Sequence, residues 1–114
     1  MVNLQDSFIR GIEKPLVIWM LSRRPRYGYE IINEFRRLTG KKLKPSMIYP
    51  FLHGLEDDGF AVSEWARKSG RSLRRYRLTD KGEQMFTKLR SFFTKPIKEI
   101  FTDLLGEEEN SPQR

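Results

Sequence analysis

Ala61-Val-Ser-Glu-Trp-Ala-Arg-Lys-Ser-Gly-Arg-Ser-Leu-Arg-Arg-Tyr-Arg-Leu78 is the stretch whose reading settles the architecture. Its first run is apolar at Val62 and Trp65, its second at Leu73, Tyr76 and Leu78. Lys68-Ser-Gly-Arg-Ser72 between them has the glycine and serines of a turn. Two short strands joined by a polar loop predict a β-hairpin. Charge gathers in the same place. Residues 61–82 carry a net +5, against +3 for residues 1–60 and −1 for residues 83–114. Arg67, Lys68, Arg71, Arg74, Arg75 and Arg77 fall within one acid-free segment. Such a run is often only a solvated face, but a hairpin projects these charges together toward a polyanion.

Upstream, the hydrophobic period changes from two to 3.6. Ile9, Ile12, Leu16, Trp19 and Met20 form one helical stripe between Phe8 and Leu21, with Pro15 expected near the start of the helix. Arg23-Arg24-Pro25-Arg26 breaks it. A second helix follows Tyr27-Gly28-Tyr29-Glu30, with Ile31, Ile32, Phe35 and Leu38 on its apolar face and Gly40 as a left-handed stop. After the linker Lys41-Lys42-Leu43-Lys44-Pro45, Ser46 or Met47 is placed to cap a third helix. Its buried positions are Ile48, Phe51 or Leu52, and Leu55, and Gly59 closes it. Pro50 is tolerated only in a first turn, which sets the start near residues 45–47.

Downstream, Thr79 or Asp80 caps a long final helix, with Glu83 answering Asp80 in a capping box. Phe86, Leu89, Phe93, Ile97, Ile100 and Leu104 step by three or four, as in a coiled coil. Met85, Phe92 and Phe101 widen that stripe beyond what one small domain covers, and Leu4, Phe8, Ile9 and Ile12 also seek cover. Mutual burial across a two-fold axis is the economical solution, so a homodimer is expected. The remainder, from residue 106, reads as a flexible polar tail.

The expected fold is therefore α+β, mostly α. A winged helix-turn-helix of three helices and a two-stranded wing spans residues 8–79, and a C-terminal dimerisation helix spans residues 80–105. A chain of 114 residues suits a single domain. Three motifs in order carry a resemblance: Tyr27-Gly-Tyr-Glu-Ile31; Ile48-Tyr-Pro-Phe-Leu-His-Gly-Leu-Glu56 with Gly59-Phe60; and Arg74-Arg-Tyr-Arg-Leu-Thr79 with Gly82. Over roughly residues 12–86 the chain resembles the PadR family of transcriptional regulators, in the form with one C-terminal helix. The resemblance implies a homodimeric repressor of double-stranded DNA at a pseudo-palindromic operator, sometimes released by a small hydrophobic or aromatic effector. Pro96 inside the last helix and the bulky Phe51 depart from the family's pattern.

A recognition helix shows its N-terminal half to base edges. With Ile48, Leu52 and Leu55 inside, Ser46, Met47, Tyr49, Pro50 and His53 face outward. Tyr49 can donate to a phosphate, and Met47 or Pro50 can pack on a thymine methyl; a rigid helix start packed on its neighbour is the other reading of Tyr49-Pro50. No Arg or Asn lies on that face, so readout leans on apolar contacts, shape and His53. Tyr27, Lys41, Lys42 and Lys44 are expected near the backbone, and Lys68, Arg71 and Arg74 on phosphates or in a narrow minor groove. Some wing arginines must face the protein. Trp19, Phe92 and Phe93 are candidates for an effector cavity, although such a stripe is more often packed core. Trp65 reads as structural.

Other functions find little support. The chain has one His and no Cys, so neither a metal site nor a cysteine nucleophile is expected. Its eight glycines form no phosphate-binding loop, its acid runs Asp57-Asp58 and Glu107-Glu108-Glu109 sit at a helix end and in the tail, and no cofactor is implied. The longest apolar run, Leu16–Leu21, is far short of a membrane span, and the N-terminus lacks a signal-peptide core. The expectation is a cytoplasmic, non-enzymatic protein. A basic winged helix for protein–protein contact, or a non-specific architectural DNA binder, is the alternative.

Overall fold

The computed structural model describes residues 3–106. Helix α1 (Leu4–Arg23) begins at Asn3, whose side chain accepts the Asp6 N–H at 3.0 Å. Pro15 thus lies well inside the helix and not near its start. The missing N–H leaves one carbonyl of the preceding turn without its usual donor, while Val17, Ile18, Met20 and Leu21 still bury the C-terminal half. At the other end Arg24 N–H and Arg26 Nε both donate to the Met20 carbonyl. A helix C-terminus favours a cation, and Arg26 supplies one from a nearly buried position.

Arg26–Tyr27 forms a two-residue strand, β1, which the sequence reading missed. Next come α2 (Gly28–Thr39) and α3 (Pro45–Asp57), separated by Gly40 at φ 77° and the fully buried Leu43. Glu30 accepts the Tyr27 N–H at 2.9 Å, satisfying one orphan donor at the start of α2. Pro45 opens α3 at its first position, where its fixed φ suits a helix. Lys44 is the N-cap, in place of Ser46 or Met47, and Pro50 falls in the second turn. Phe51 is half-buried against the core, with Lys14 Nζ of α1 above its ring at 5.4 Å. That contact accommodates the bulk.

The hairpin strands are β2 (Ala61–Lys68) and β3 (Arg71–Leu78), paired from Ala61↔Leu78 to Lys68↔Arg71. Only Ser69 and Gly70 lie between them, both at positive φ (53° and 77°). Two left-handed residues make the turn whose twist matches the strands. β1 adds antiparallel to β3, giving a three-stranded sheet in the order β1-β3-β2 instead of the expected two strands. Ile31, Phe35, Leu43, Ile48, Leu52 and Tyr76 are buried where the helices meet this sheet.

Helix α4 (Asp80–Phe92) is capped by Thr79, whose hydroxyl accepts the Gly82 N–H at 3.1 Å. With glycine in the third position there is no Asp80–Glu83 box. The long C-terminal helix is not uniform. Phe93–Ile97 form a π-helical turn around Pro96, and α5 (Lys98–Leu105) continues to Gly106. Lys98 N–H reaches back to the Phe93 carbonyl, so the wider turn absorbs the donor that proline lacks. The Glu107–Arg114 tail lies outside the described residues.

Candidate nucleic-acid interface

The outward side of α3 and one side of the wing meet around a small cavity of about 220 Å³. Tyr49 and His53 line it from α3, Trp65, Arg74 and Tyr76 from the sheet, and Tyr29 from α2. Gly28 makes this closeness possible. A Cβ at Gly28 would run into the Tyr49 ring, so only glycine lets that ring lie against the start of α2. Tyr49 nevertheless keeps about a third of its surface free.

The expected DNA-facing residues divide into three groups. Ser46, Tyr49, Pro50 and His53 are exposed along α3, as are Lys42, Lys44, Lys68 and Arg71. Lys41 is exposed but bridged to Asp6 of α1 at 3.1 Å. Three differ from expectation. Met47 is half-buried, packed against the hydrophobic core. Tyr27 is buried beneath Tyr29 and Lys68, since β1 draws it into the sheet. Arg74 is turned back into the protein: Nη2 donates to both Glu56 oxygens at 2.9 and 3.0 Å and to Ser63 Oγ at 2.7 Å.

The remaining wing arginines also split. Arg75 pairs with Glu64 across the strands at 2.9 Å, and that hydrogen bond holds the Glu64 carboxyl below its ordinary pKa. Arg77 is exposed. Trp65, expected to be structural, is 69% exposed, the largest departure among the aromatics. Sequence reasoning missed both Trp65 and the half-exposed Tyr29. An alternation read only loosely does not say which side of a hairpin faces the core.

Separately, α1 and the C-terminal arm form an open cleft of about 1340 Å³. Phe8, Ile12, Trp19, Phe86, Phe93, Ile97 and Phe101 line it, with Arg23, Arg90 and Lys98 at its rim. Phe8 and Phe101 touch, ring centres 5.8 Å apart. Leu89 is half-buried, while Ile100 and Leu104 lie uncovered farther along the arm. Trp19 and Phe93 therefore share the cleft, whereas Phe92 does not line it. Among the described residues no group of His, Cys, Asp or Glu is arranged to hold a metal ion, and no helix is long and apolar enough to cross a membrane.

Helices α2 and α3 joined by a short turn, followed by a cationic wing, define a winged-helix DNA-binding protein. Residues 17–88 match the model of the transcriptional regulator PadR-like family, and the chain belongs to that family. It is 32% identical over 88 residues to the transcriptional regulator Rv3488 of Mycobacterium tuberculosis, covering 77% of this chain and 67% of that protein. Identity to the transcriptional activator GvpE1 of Halobacterium salinarum is 30% over 119 residues, covering 98% of this chain and 60% of that one. The crystal structure of TA0346 from Thermoplasma acidophilum superposes with a TM-score of 0.67 at 28% identity, covering 89% and 95% of the two chains. Family membership makes this a DNA-binding transcriptional regulator and not an enzyme.

Proposed function

We propose that the protein is a homodimeric repressor that binds a pseudo-palindromic operator, with residues 8–79 as the DNA-binding unit and residues 80–105 as the dimerisation arm. The observation that carries this reading is that one chain carries two separate incomplete surfaces, one polar and cationic and one apolar. On the first, the exposed Ser46, Tyr49, Pro50 and His53 adjoin a wing whose Lys68 and Arg71 lack any acidic partner among the described residues. On the other, Phe8, Phe93, Ile100, Phe101 and Leu104 leave an apolar strip in water. Burying such a strip gives about 25 cal/mol per Å². A second copy supplies the same strip in reverse.

In this reading α3 enters the major groove, Lys42 and Lys44 meet phosphates, and the wing tip reaches the adjacent backbone or minor groove. Readout is mainly apolar and shape-based, because α3 offers Tyr49, Pro50 and His53 and no bidentate Arg or Asn. The cleft exceeds the ~300–1,000 Å³ of ordinary ligand pockets, which suits a partner helix first. A small hydrophobic effector fits between Trp19 and Phe93 once the partner narrows it.

Fluorescence anisotropy on the DNA upstream of the protein's own gene, beside a scrambled duplex, tests the proposal. At about 150 mM salt a regulator prefers one duplex by ~10³-fold or more. Equal, weak binding to both would leave non-specific coating or a protein partner as the function. Transcription from the bound promoter, with and without the protein, separates repression from the activation named for the halobacterial relative.

A further inference from the structure

The wing's exposed tryptophan is held in place by a closed polar ring. Trp65 of β2 stands directly across from Arg74 of β3. The Arg74 guanidinium lies 5.6 Å from the Trp65 ring centre and 5.8 Å from that of Tyr76. Two of its three nitrogens are committed elsewhere: Nε and Nη2 donate to Ser63 Oγ, and Nη2 also donates to Glu56. Ser63 Oγ in turn donates to Glu56 Oε2 at 2.6 Å. Glu56 sits at the end of α3 and Ser63 on β2, so the ring ties the recognition helix to the wing.

This arrangement reassigns both residues. The Arg74 charge is paired with Glu56, so Arg74 offers a phosphate less net attraction than Lys68 and Arg71, which lack an acidic partner among the described residues. It serves as a flat cationic support beneath an indole that is otherwise 69% exposed. The nearest exposed aromatics, Tyr29 and Tyr49, share the small cavity beside it. Farther along the same hairpin lie Lys68 and Arg71, both exposed. A pre-oriented apolar plate beside free cations matches a partner that alternates apolar faces with negative charges. A DNA strand does so: its deoxyribose faces are apolar and its phosphates carry the charge. An indole can pack on such a strand without reading sequence, as aromatic residues stack on nucleotides elsewhere.

We propose that Trp65 packs on the sugar-phosphate strand between the groove read by α3 and the one approached by the wing, and that Arg74, with Glu56 and Ser63, is its positioning residue. The proposal rests on the DNA-binding reading above, and its test separates the two. The sequence has two tryptophans, so a full-length Trp19→Phe protein reports on Trp65 alone. On the best-binding duplex from upstream of the protein's own gene, Trp65 emission is expected to change and its quenching by iodide to fall. Trp65→Ala is expected to bind about 10-fold more weakly with an unchanged salt slope and an unchanged melting temperature of the free protein.

Lys68→Ala, by contrast, should flatten the slope of log K against log salt by about 0.9 per subunit. The charge-neutral pair Glu56→Gln with Arg74→Gln should reproduce the affinity loss and restore iodide access on DNA, again without changing the slope. A slope reduced in that pair would place Arg74 on a phosphate and overturn its positioning role. Wild-type affinity for Trp65→Ala, or a Trp65 still open to iodide on bound DNA, would overturn the packing proposal and leave the DNA-binding reading standing. Failure of the wild-type chain to bind any duplex would overturn both.

Discussion

Gly82→Ala should destabilise the protein, against the direction that helix propensity dictates. Alanine is the better helix former by up to about 1 kcal/mol, so an isolated helix would gain from the change. Gly82 occupies the third position of α4, where its N–H is capped by Thr79. A Cβ there would overlap the Phe60 carbonyl oxygen deeply and stand 3.1 Å from two Leu78 side-chain carbons. The oxygen cannot retreat easily, because it accepts the Thr79 N–H at 3.0 Å. Helix α4 must therefore move by roughly 1 Å, with the overpacking cost of about 1–3 kcal/mol. Strain on the Thr79 cap adds about 1 kcal/mol. The net expectation is a loss of roughly 1–3 kcal/mol, or about 5–15 °C in melting temperature for a domain of this size.

The assay is thermal and urea unfolding followed by circular dichroism at fixed protomer concentration. Gly54→Ala is the internal control. Gly54 lies inside α3 and a Cβ there meets nothing within 4 Å, so that variant should gain stability. If both variants gain alike, the close approach of α4 to Phe60 does not exist in solution.

Three further outcomes are expected. Phe101→Glu, placing a charge beside Phe8 in the apolar strip, should convert dimers to monomers on a sizing column while keeping helical content; a surviving dimer would remove the arm from the assembly. Gly28→Ala should push the Tyr49 ring aside and weaken specific binding several-fold with little change in the melting temperature; unchanged binding would mean that Tyr49 does not touch DNA. Arg37 and Arg75, by hydrogen bonding, hold Glu34 and Glu64 below the ordinary glutamate range. A depressed folded pKa adds stability above the unfolded value and loses it as pH falls through the folded one. Stability should therefore decline on the acid side, and Glu64→Gln should lessen that decline.

Periodicity made much of the fold legible. Ile31 and Phe35, or Ile48, Leu52 and Leu55, declare a helix face because burial needs one side of a 3.6-residue turn, and each is buried as expected. Lys68-Ser-Gly-Arg-Ser72 declares the hairpin, although the strands run on to Lys68 and Arg71 and leave only Ser69 and Gly70, at positive φ, as the turn. Prolines misled. Pro15 and Pro50 sit inside helices because burial of Val17, Ile18, Met20 and Leu21 in α1, and of Ile48, Leu52 and Leu55 in α3, outweighs one missing hydrogen bond apiece. Strand β1 was invisible, since two residues carry no period.

The interface was legible by class and only partly by residue. Composition marks the wing as cationic, but every arginine looks alike in a sequence. Which of them meets solvent depends on acids brought alongside from elsewhere. Glu56 lies 18 positions from Arg74, and only the packing of α3 on the sheet joins them.

By itself, then, the sequence determined the order of the helices and the two wing strands, the cationic wing, the family and the broad apolar stripe of the C-terminal arm. These follow from local spacing and from apolar residues too numerous for one small core. The tertiary structure decided that Tyr27 is buried, that Arg74 is spent on Glu56 and Ser63, and that Trp65 stands free beside Tyr49. Exposure and charge pairing arise between segments distant in the chain, and no local pattern encodes the distance at which they meet.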